Sequence, residues 1–202
     1  MNEVSLGWAL IAVVVGYFVG SINPAAMIAK ARGIDLNEGS GNPGATNAAR
    51  VMGRKTGAIV LVIDMLKGLL PVLLFSMLAS PAVGGIAGFA AILGHMTSPF
   101  LKGKGGKGVA TTLGVLLGAE PLWLIPVLLA FAVVFVIGKR TGIASVAGAL
   151  ALIVTALVDR DDLEMTIFGV LVGLLVIVRH QRNIRAAWTD WRQPTGVSAS
   201  PD

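Results

Sequence analysis

The hydrophobic positions of this chain form long runs, and its polar positions are concentrated in the short stretches between them. An α-helix of about 20 apolar residues crosses the ~30 Å hydrocarbon layer of a membrane, so most of these runs predict spanning helices. A run of only 11 residues, Gly108–Gly118, predicts either a short helix or a re-entrant element packed inside the protein. The other six runs are Leu6–Ala29 (interrupted by Asn23 and Pro24), Thr56–Ala79, Ala82–Ser98, Leu122–Gly138, Gly142–Val158 and Met165–Val178.

The composition supports an all-α polytopic membrane protein. Of the 202 residues 55% are hydrophobic and 13% charged, with a mean hydropathy of +0.81, whereas a soluble domain carries about 25% charged residues. We expect one membrane-embedded domain over residues 1–192 and a polar, disordered tail over 193–202. The absence of cysteine excludes disulfides, thiolate nucleophiles and cysteine-based metal sites.

The distribution of charge predicts the orientation of the chain. If the N-terminus is outside, all of the 16 lysines and arginines except Lys67 and Arg160 fall in cytoplasmic loops. The outer loops then carry mainly acidic residues, namely Glu120, Asp159, Asp161, Asp162 and Glu164. This bias requires Gly108–Gly118 to cross the membrane, which gives seven crossings and a cytoplasmic C-terminus. Because the basic residues serve as topology signals and anion contacts, we expect no nucleic acid partner.

Polar clusters at this one face predict a single site between the helices. They are GSGNPGATNAAR at 39–50, GHMTSPFLKGKGGKGVAT at 94–111, RHQRNIR at 179–185 and a smaller cluster at 139–145. Their glycines allow the backbone N–H groups to wrap around an anion. The alternatives are a basic, topology-setting loop for the second cluster, and for the first a plain turn before a helix that begins near Ala45.

Two further pairs have helical spacing. Asp64 and Lys67 lie three residues apart in an apolar run, which predicts a structural ion pair, with a lysine in a substrate relay as the alternative. His180 and Asn183 are one turn apart at the cytoplasmic end of the last helix. His95 and His180 each have two interpretations. Each is an interfacial residue, or a group that hydrogen-bonds the substrate or transfers a proton.

Several standard sites are absent from the sequence. Gly106-Lys107 is followed by Gly108 instead of serine or threonine, which excludes a Walker A loop. Ser40 has no GxSxG context, there is no HExxH zinc motif, and neither histidine has an aspartate five residues later. The pattern that remains is a cationic, donor-rich pocket, which suits phosphate-bearing substrates and requires no metal or cofactor.

The motifs GSGNPGATNAAR, DMLKG, GHMTSPFLKGKGGKGVAT and RHQRNIR, in this order and spacing, resemble those of the acyl-phosphate:glycerol-3-phosphate acyltransferases (the PlsY family). The resemblance covers nearly the whole chain, from Gly20 to about Arg185. It implies a seven-helix enzyme of the bacterial inner membrane with a cytoplasmic site. The implied reaction moves a fatty acyl group from acyl phosphate to the 1-hydroxyl of glycerol 3-phosphate, giving lysophosphatidic acid and phosphate. The implied partners are these substrates and membrane lipid; the oligomeric state stays open, with a monomer plausible.

The resemblance also implies site residues. Matching positions with a catalytic role are Ser40, Arg50, His95, Lys107, Ser145, His180 and Asn183. We expect substrate or phosphate to be bound by further matching residues and by the glycines of the same clusters. These are Gly39, Gly41, Asn42, Asn47, Lys104, Gly105, Gly106 and Gly108. Since acyl phosphate is already activated, no nucleophilic residue is needed, and we expect neither histidine to be the sole base. The alternatives are a membrane carrier of a phosphate-bearing anion and a non-catalytic paralogue that binds the lipid precursor.

Overall fold

The computed structural model describes residues 3–159 and 162–192, so Arg160, Asp161 and the predicted tail at 193–202 lie outside the described residues. The described ranges hold ten α-helices joined by short turns and no strand. The helices are α1 (Glu3–Ser21), α2 (Pro24–Ala31), α3 (Ala45–Met52), α4 (Arg54–Leu78), α5 (Pro81–Thr97), α6 (Val109–Ala119), α7 (Leu124–Gly138), α8 (Thr141–Val158), α9 (Leu163–Arg179) and α10 (Gln181–Arg192).

Every apolar run of the sequence is helical. Among the described residues, five segments are long and apolar enough to cross a membrane: Leu6–Ala31, Arg54–Leu78, Pro81–Leu101, Pro121–Gly138 and Thr141–Val158. The bent pair formed by α9 and α10 is a sixth candidate, and α6 is a shorter apolar helix. Large apolar side chains on these helices point away from the protein; Ile137 at the end of α7 is 81% exposed. Such a surface is stable only in lipid, so the structure confirms a helical membrane protein.

Close packing of α1 on α5 fixes the helix that carries His95. A Cβ atom at Gly16 would collide with the backbone of Ala87, and one at Gly20 with that of Ala91. Two small residues four apart therefore allow the helix backbones to touch, which is the usual way that helices associate in lipid. A continuous core that runs from Val72 on α4 to Val176 on α9 joins α5 to α4, α6, α7, α8 and α9.

The first apolar segment is broken where Asn23 and Pro24 interrupt it. The side chain of Asn23 caps α2 by accepting from Ala26 N at 2.8 Å. The break frees the carbonyls of Ser21 and Ile22, and both accept from side chains elsewhere in the chain. Ser98 Oγ donates to Ser21 O, and Lys67 Nζ donates to Ile22 O, each at 2.7 Å. A non-helical backbone at membrane depth is tolerated because protein groups satisfy it in this way.

The expectation that His180 and Asn183 lie one turn apart on the last helix is wrong. α9 ends at Arg179, His180 caps it, and α10 begins at Gln181 with a bend of 57°. The physical cause is local: His180 N bonds to Ile177 O at 2.9 Å, and His180 Nδ1 lies 2.7 Å from Val176 O. Neither glycine nor proline marks this bend in the sequence. His180 consequently lies at the bend between the two helices, and Asn183 lies in α10.

Candidate active site

The GKGGKG loop between α5 and α6 is fastened to the last turn of α5. Gly105 N donates to Met96 O at 3.2 Å, and Gly106 N donates to His95 O at 3.0 Å. A Cβ atom at Gly106 would collide with Nε2 of the His95 imidazole. Gly108 has φ +83°, in the left-handed region that favours glycine. The glycines are therefore required by close packing and by one backbone conformation.

Arg179 at the end of α9 holds the other side of this loop. Its Nη2 donates to Gly105 O at 2.7 Å and to Gly106 O at 2.8 Å, and its Nε donates to Gly106 O at 3.1 Å. The planar guanidinium suits this geometry because its donors form a fixed fork. Arg179 was not among the predicted site residues, although it opens the RHQRNIR cluster. No local pattern indicated that its partners are carbonyls of a loop more than 70 residues earlier.

Lys107 is the next residue of the loop, and a residue of α10 orients its side chain. Its Nζ donates to Asn183 Oδ1 at 2.5 Å. Burial, together with the positive charges of Arg179 and Arg182, lowers the pKa of Lys107. Ion pairs among the described residues join only Lys67 and His95 to Asp64, and Arg140 to Asp190. No carboxylate there neutralises Lys107, so its surroundings attract an anion.

A buried polar cluster on α4 and α5 contacts the loop through His95. Lys67 Nζ lies 2.8 Å from Asp64 Oδ1, the pairing that their spacing predicted. His95 Nδ1 lies 3.5 Å from the same oxygen, a contact that the sequence did not reveal. Exposure of the three residues is 5% or less. Because burying a charge is costly, this cluster needs its mutual contacts and the bond from Lys67 to the break in the first segment.

The first polar cluster is shaped by Asn47. Its Oδ1 accepts from Ser40 N at 2.7 Å, and its Nδ2 donates to Leu36 O at 2.8 Å. The side chain of Asn47 therefore fixes the loop from inside, with Gly39 packed against it and Gly41 at φ +70°. The helix that was expected near Ala45 begins at that residue.

Hydrogen bonds and buried polar contacts through the helix break connect this first cluster to the GKGGKG loop. Asn23 Nδ2 donates to Pro43 O at 2.9 Å, next to Asn42. The adjoining Ile22 carbonyl accepts from Lys67, which pairs with Asp64 and through it approaches His95. Motifs far apart in the chain are thus tied together by the interruption of one helix.

The remaining predicted site residues differ in accessibility. Ser40, Arg50 and Lys104 are exposed, and the two cationic groups have no hydrogen bond or ion pair with any described residue. Ser145 is buried and donates to Thr141 O at 2.9 Å within α8. His180 is also buried and contacts a carbonyl of its own helix. The structure therefore gathers His95, Gly105, Gly106, Lys107 and Asn183 directly. Ser145 bonds within α8, and His180 contacts the end of α9.

Comparisons with known proteins agree with this geometry. Residues 10–190 match the family described as glycerol-3-phosphate acyltransferase. A protein of that name from Geotalea daltonii is 40% identical over 179 residues, which cover 87% of this chain and 92% of the relative. The same-named protein from Geobacter sulfurreducens is 42% identical over 180 residues, with the same shares covered.

Solved structures show the same arrangement of helices. A crystal structure of PlsY, an integral membrane glycerol 3-phosphate acyltransferase, in its glycerol 3-phosphate form superimposes with a TM-score of 0.85 at 34% identity. It covers 93% of this chain and 96% of the PlsY chain. The lysophosphatidic acid form gives 0.83 at the same identity. With its sequence matched from residue 10 to residue 190 and its helices superimposed on those of a member, this chain belongs to the glycerol-3-phosphate acyltransferase family.

Proposed function

We propose that this chain transfers a fatty acyl group from acyl phosphate to the 1-hydroxyl of glycerol 3-phosphate, giving lysophosphatidic acid and phosphate. The observation that carries the proposal is the loop at Gly105–Gly108, where Lys107 lies beside Arg179 and no carboxylate of the described residues neutralises it. An unneutralised lysine next to a glycine-rich turn suits a phosphate ligand. The related PlsY structures in glycerol 3-phosphate and lysophosphatidic acid forms supply the substrate class.

The proposed step needs positioning and charge, and no nucleophilic side chain. The hydroxyl oxygen of glycerol 3-phosphate bonds to the acyl carbon, and the bond from that carbon to the phosphate oxygen breaks. Phosphate leaves with the electron pair and receives the hydroxyl proton. Lys107 and the free N–H groups of the first turn of α6 bind one phosphate. The exposed Arg50 and Lys104 are the candidates for holding the other, and the lipid-facing helices accommodate the acyl chain.

The surroundings of both histidines support a proton acceptor on the substrate. His95 is 4% exposed, with Nδ1 directed at Asp64 and Nε2 against Gly106. His180 contacts Val176 O and is 2% exposed. We therefore assign both rings to holding the loop and the helix end, and the proton to a substrate phosphate, whose second pKa near 6 suits this task. His95→Ala and His180→Ala should each weaken turnover and leave a rate well above that of Lys107→Ala.

Orientation forms part of the proposal, with seven crossings and the site on the cytoplasmic face of the bacterial inner membrane. The basic loops and the acidic connection before α9 support it. Because the chain has no cysteine, single replacements report topology without background. Lys104→Cys and Lys139→Cys should react with an impermeant maleimide only from inside, and Asp162→Cys only from outside. Labelling of position 139 from outside would contradict seven crossings.

The activity test uses purified protein in liposomes. Phosphate release should require both acyl phosphate and glycerol 3-phosphate, and lysophosphatidic acid should appear in equal amount. Lys107→Ala, verified as folded by thermal unfolding, is the matched control and should lose nearly all product. Uptake of glycerol 3-phosphate without product would favour a carrier. Binding of the substrates without turnover would favour a non-catalytic paralogue.

A further inference from the structure

Helix α10 has an apolar face that no described part of the protein covers. Ile184, Trp188 and Trp191 recur at spacings of four and three residues, which places them on one side of the helix. They are 37%, 53% and 77% exposed, and the two indole rings lie 5.4 Å apart. Two tryptophans side by side on an unpartnered helix face require an apolar surrounding.

Another face of α10, about a third of a turn around the helix from the tryptophans, is fastened to the protein. Asn183 accepts the bond from Lys107, and Asp190 Oδ2 lies 2.8 Å from Arg140 Nη2 at the start of α8. These two contacts, nearly two turns apart, set the rotation of the helix about its axis. The tryptophan face therefore points outward, away from α8 and α9.

Cationic side chains lie beside this face. Arg185 and Arg192 are exposed, and the Arg192 guanidinium lies 4.7 Å from the centre of the Trp188 ring. On a helical wheel both arginines fall next to Trp188. Apolar side chains of α9, including Val178 at 54% exposure, continue the lipid-facing surface up to the bend. The tryptophan face is therefore adjacent to lipid-facing side chains on one side and, on the other, to arginines that form no ion pair with a described residue.

We propose that α10 lies in the headgroup layer of the membrane, with its tryptophan face toward the acyl chains and its arginines on the phosphates of anionic lipids. The 57° bend turns the chain away from the direction of the spanning helix α9. Tryptophan and arginine on adjacent faces of an amphipathic helix match the two halves of a membrane interface. Charge complementarity and continuity with the lipid-facing surface favour this occupant over a second protein.

The contact has a consequence for the site, which rests on the proposed function. Because α10 also carries Asn183, anchoring the helix in the headgroup layer holds that amide against Lys107. Anionic lipid should therefore lower the KM for glycerol 3-phosphate. A membrane-embedded acyltransferase would in this way sense the headgroups to which its product belongs.

Spin labels on single cysteines test the placement in full-length protein, which has no native cysteine. Labels at Ile184→Cys, Trp188→Cys and Trp191→Cys in phosphatidylglycerol liposomes should collide often with oxygen and seldom with a polar nickel complex. Labels at Arg185→Cys and Thr189→Cys should show the reverse. Ile137→Cys, on a lipid-facing helix, is the reference for full lipid exposure. Uniform exposure to nickel around the helix would overturn the proposal. So would immobile labels at 188 and 191 shielded from both reagents, since a protein would then cover the face.

Lipid charge supplies the second test. Each basic residue near an anionic membrane surface strengthens the binding of its segment to that surface about fivefold. Replacing Arg185 and Arg192 with glutamine should therefore make the label at Trp188→Cys shallower in phosphatidylglycerol, and give the depth seen in phosphatidylcholine. Arg54→Gln, an exposed arginine on α4, is the matched control and should keep the difference between the lipids. Equal depths for unmodified α10 in both lipids would overturn the role of the arginines. Absence of turnover in every lipid, with the label pattern intact, would count against the proposed function instead.

Discussion

Removal of the Arg179 guanidinium should disorganise the GKGGKG loop while leaving its lysine in place. Arg179→Gln deletes the fork that donates to Gly105 O and Gly106 O. A hydrogen bond from a charged group contributes about 1.5–3 kcal/mol, so two such acceptors amount to about 3–6 kcal/mol before solvent is considered. Because Arg179 is only partly buried, water replaces a share, and we expect a net loss of about 3 kcal/mol.

This loss corresponds to about 10²-fold in the population of the ordered loop, since about 1.4 kcal/mol is tenfold. Misplacement of a binding group by about 1 Å has a comparable effect on rate. We therefore expect kcat/KM for glycerol 3-phosphate to fall about 10²-fold. The electrostatic effect has the opposite sign: the charge of Arg179 lowers the pKa of Lys107, so its removal keeps that lysine protonated to higher pH. Neutralisation of Lys107 therefore cannot explain the loss.

The assay is phosphate release by reconstituted protein, with thermal unfolding of the same preparations as a check on folding. Arg182→Gln is the matched control, because Arg182 also lowers the pKa of Lys107 and makes no hydrogen bond to the loop. It should change kcat/KM only slightly. Arg179→Lys, which keeps the charge without the planar fork, should fall between the two. Equal kinetics for Arg179→Gln and Arg182→Gln would refute the argument from hydrogen bonds.

Three further predictions concern the loop and the helix pair that supports it. In the proposed site Lys107 binds the substrate phosphate in its protonated form. Because its pKa is lowered, KM for glycerol 3-phosphate should begin to rise at a pH below the ordinary lysine pKa of about 10.4. Lys107→Arg should abolish that rise in initial-rate measurements, and a flat profile for the unmodified chain would contradict this role. Gly106→Ala places a methyl group against the His95 imidazole and should reduce turnover strongly in a side-by-side assay. Gly138→Ala, whose Cβ meets no atom within 4 Å, should not, and equal rates would exclude the packing argument. Gly20→Leu forces α1 from α5 and should lower stability by about 1–3 kcal/mol or more, seen as a lower Tm in detergent; an unchanged Tm would show that the helices separate freely.

The sequence by itself determined the helices and their environment. Lipid cannot satisfy backbone groups, so each apolar run had to be helical, and the seven runs are. Local spacing also determined the Asp64–Lys67 pairing, because residues three apart on a helix share a face. The motifs indicated the family and placed the polar clusters at helix ends.

Only the tertiary structure decided which groups these clusters contact. Arg179 reaches carbonyls 73 and 74 residues earlier, and Lys107 meets an amide 76 residues later. His95 approaches Asp64 because α1 packs so closely on α5 and α4 lies against both. The bend at His180 depends on the contact of its imidazole with Val176 O near the end of α9. Spacing along one helix follows from covalent geometry, whereas contacts between helices depend on how all of them pack together, and no single segment carries that information.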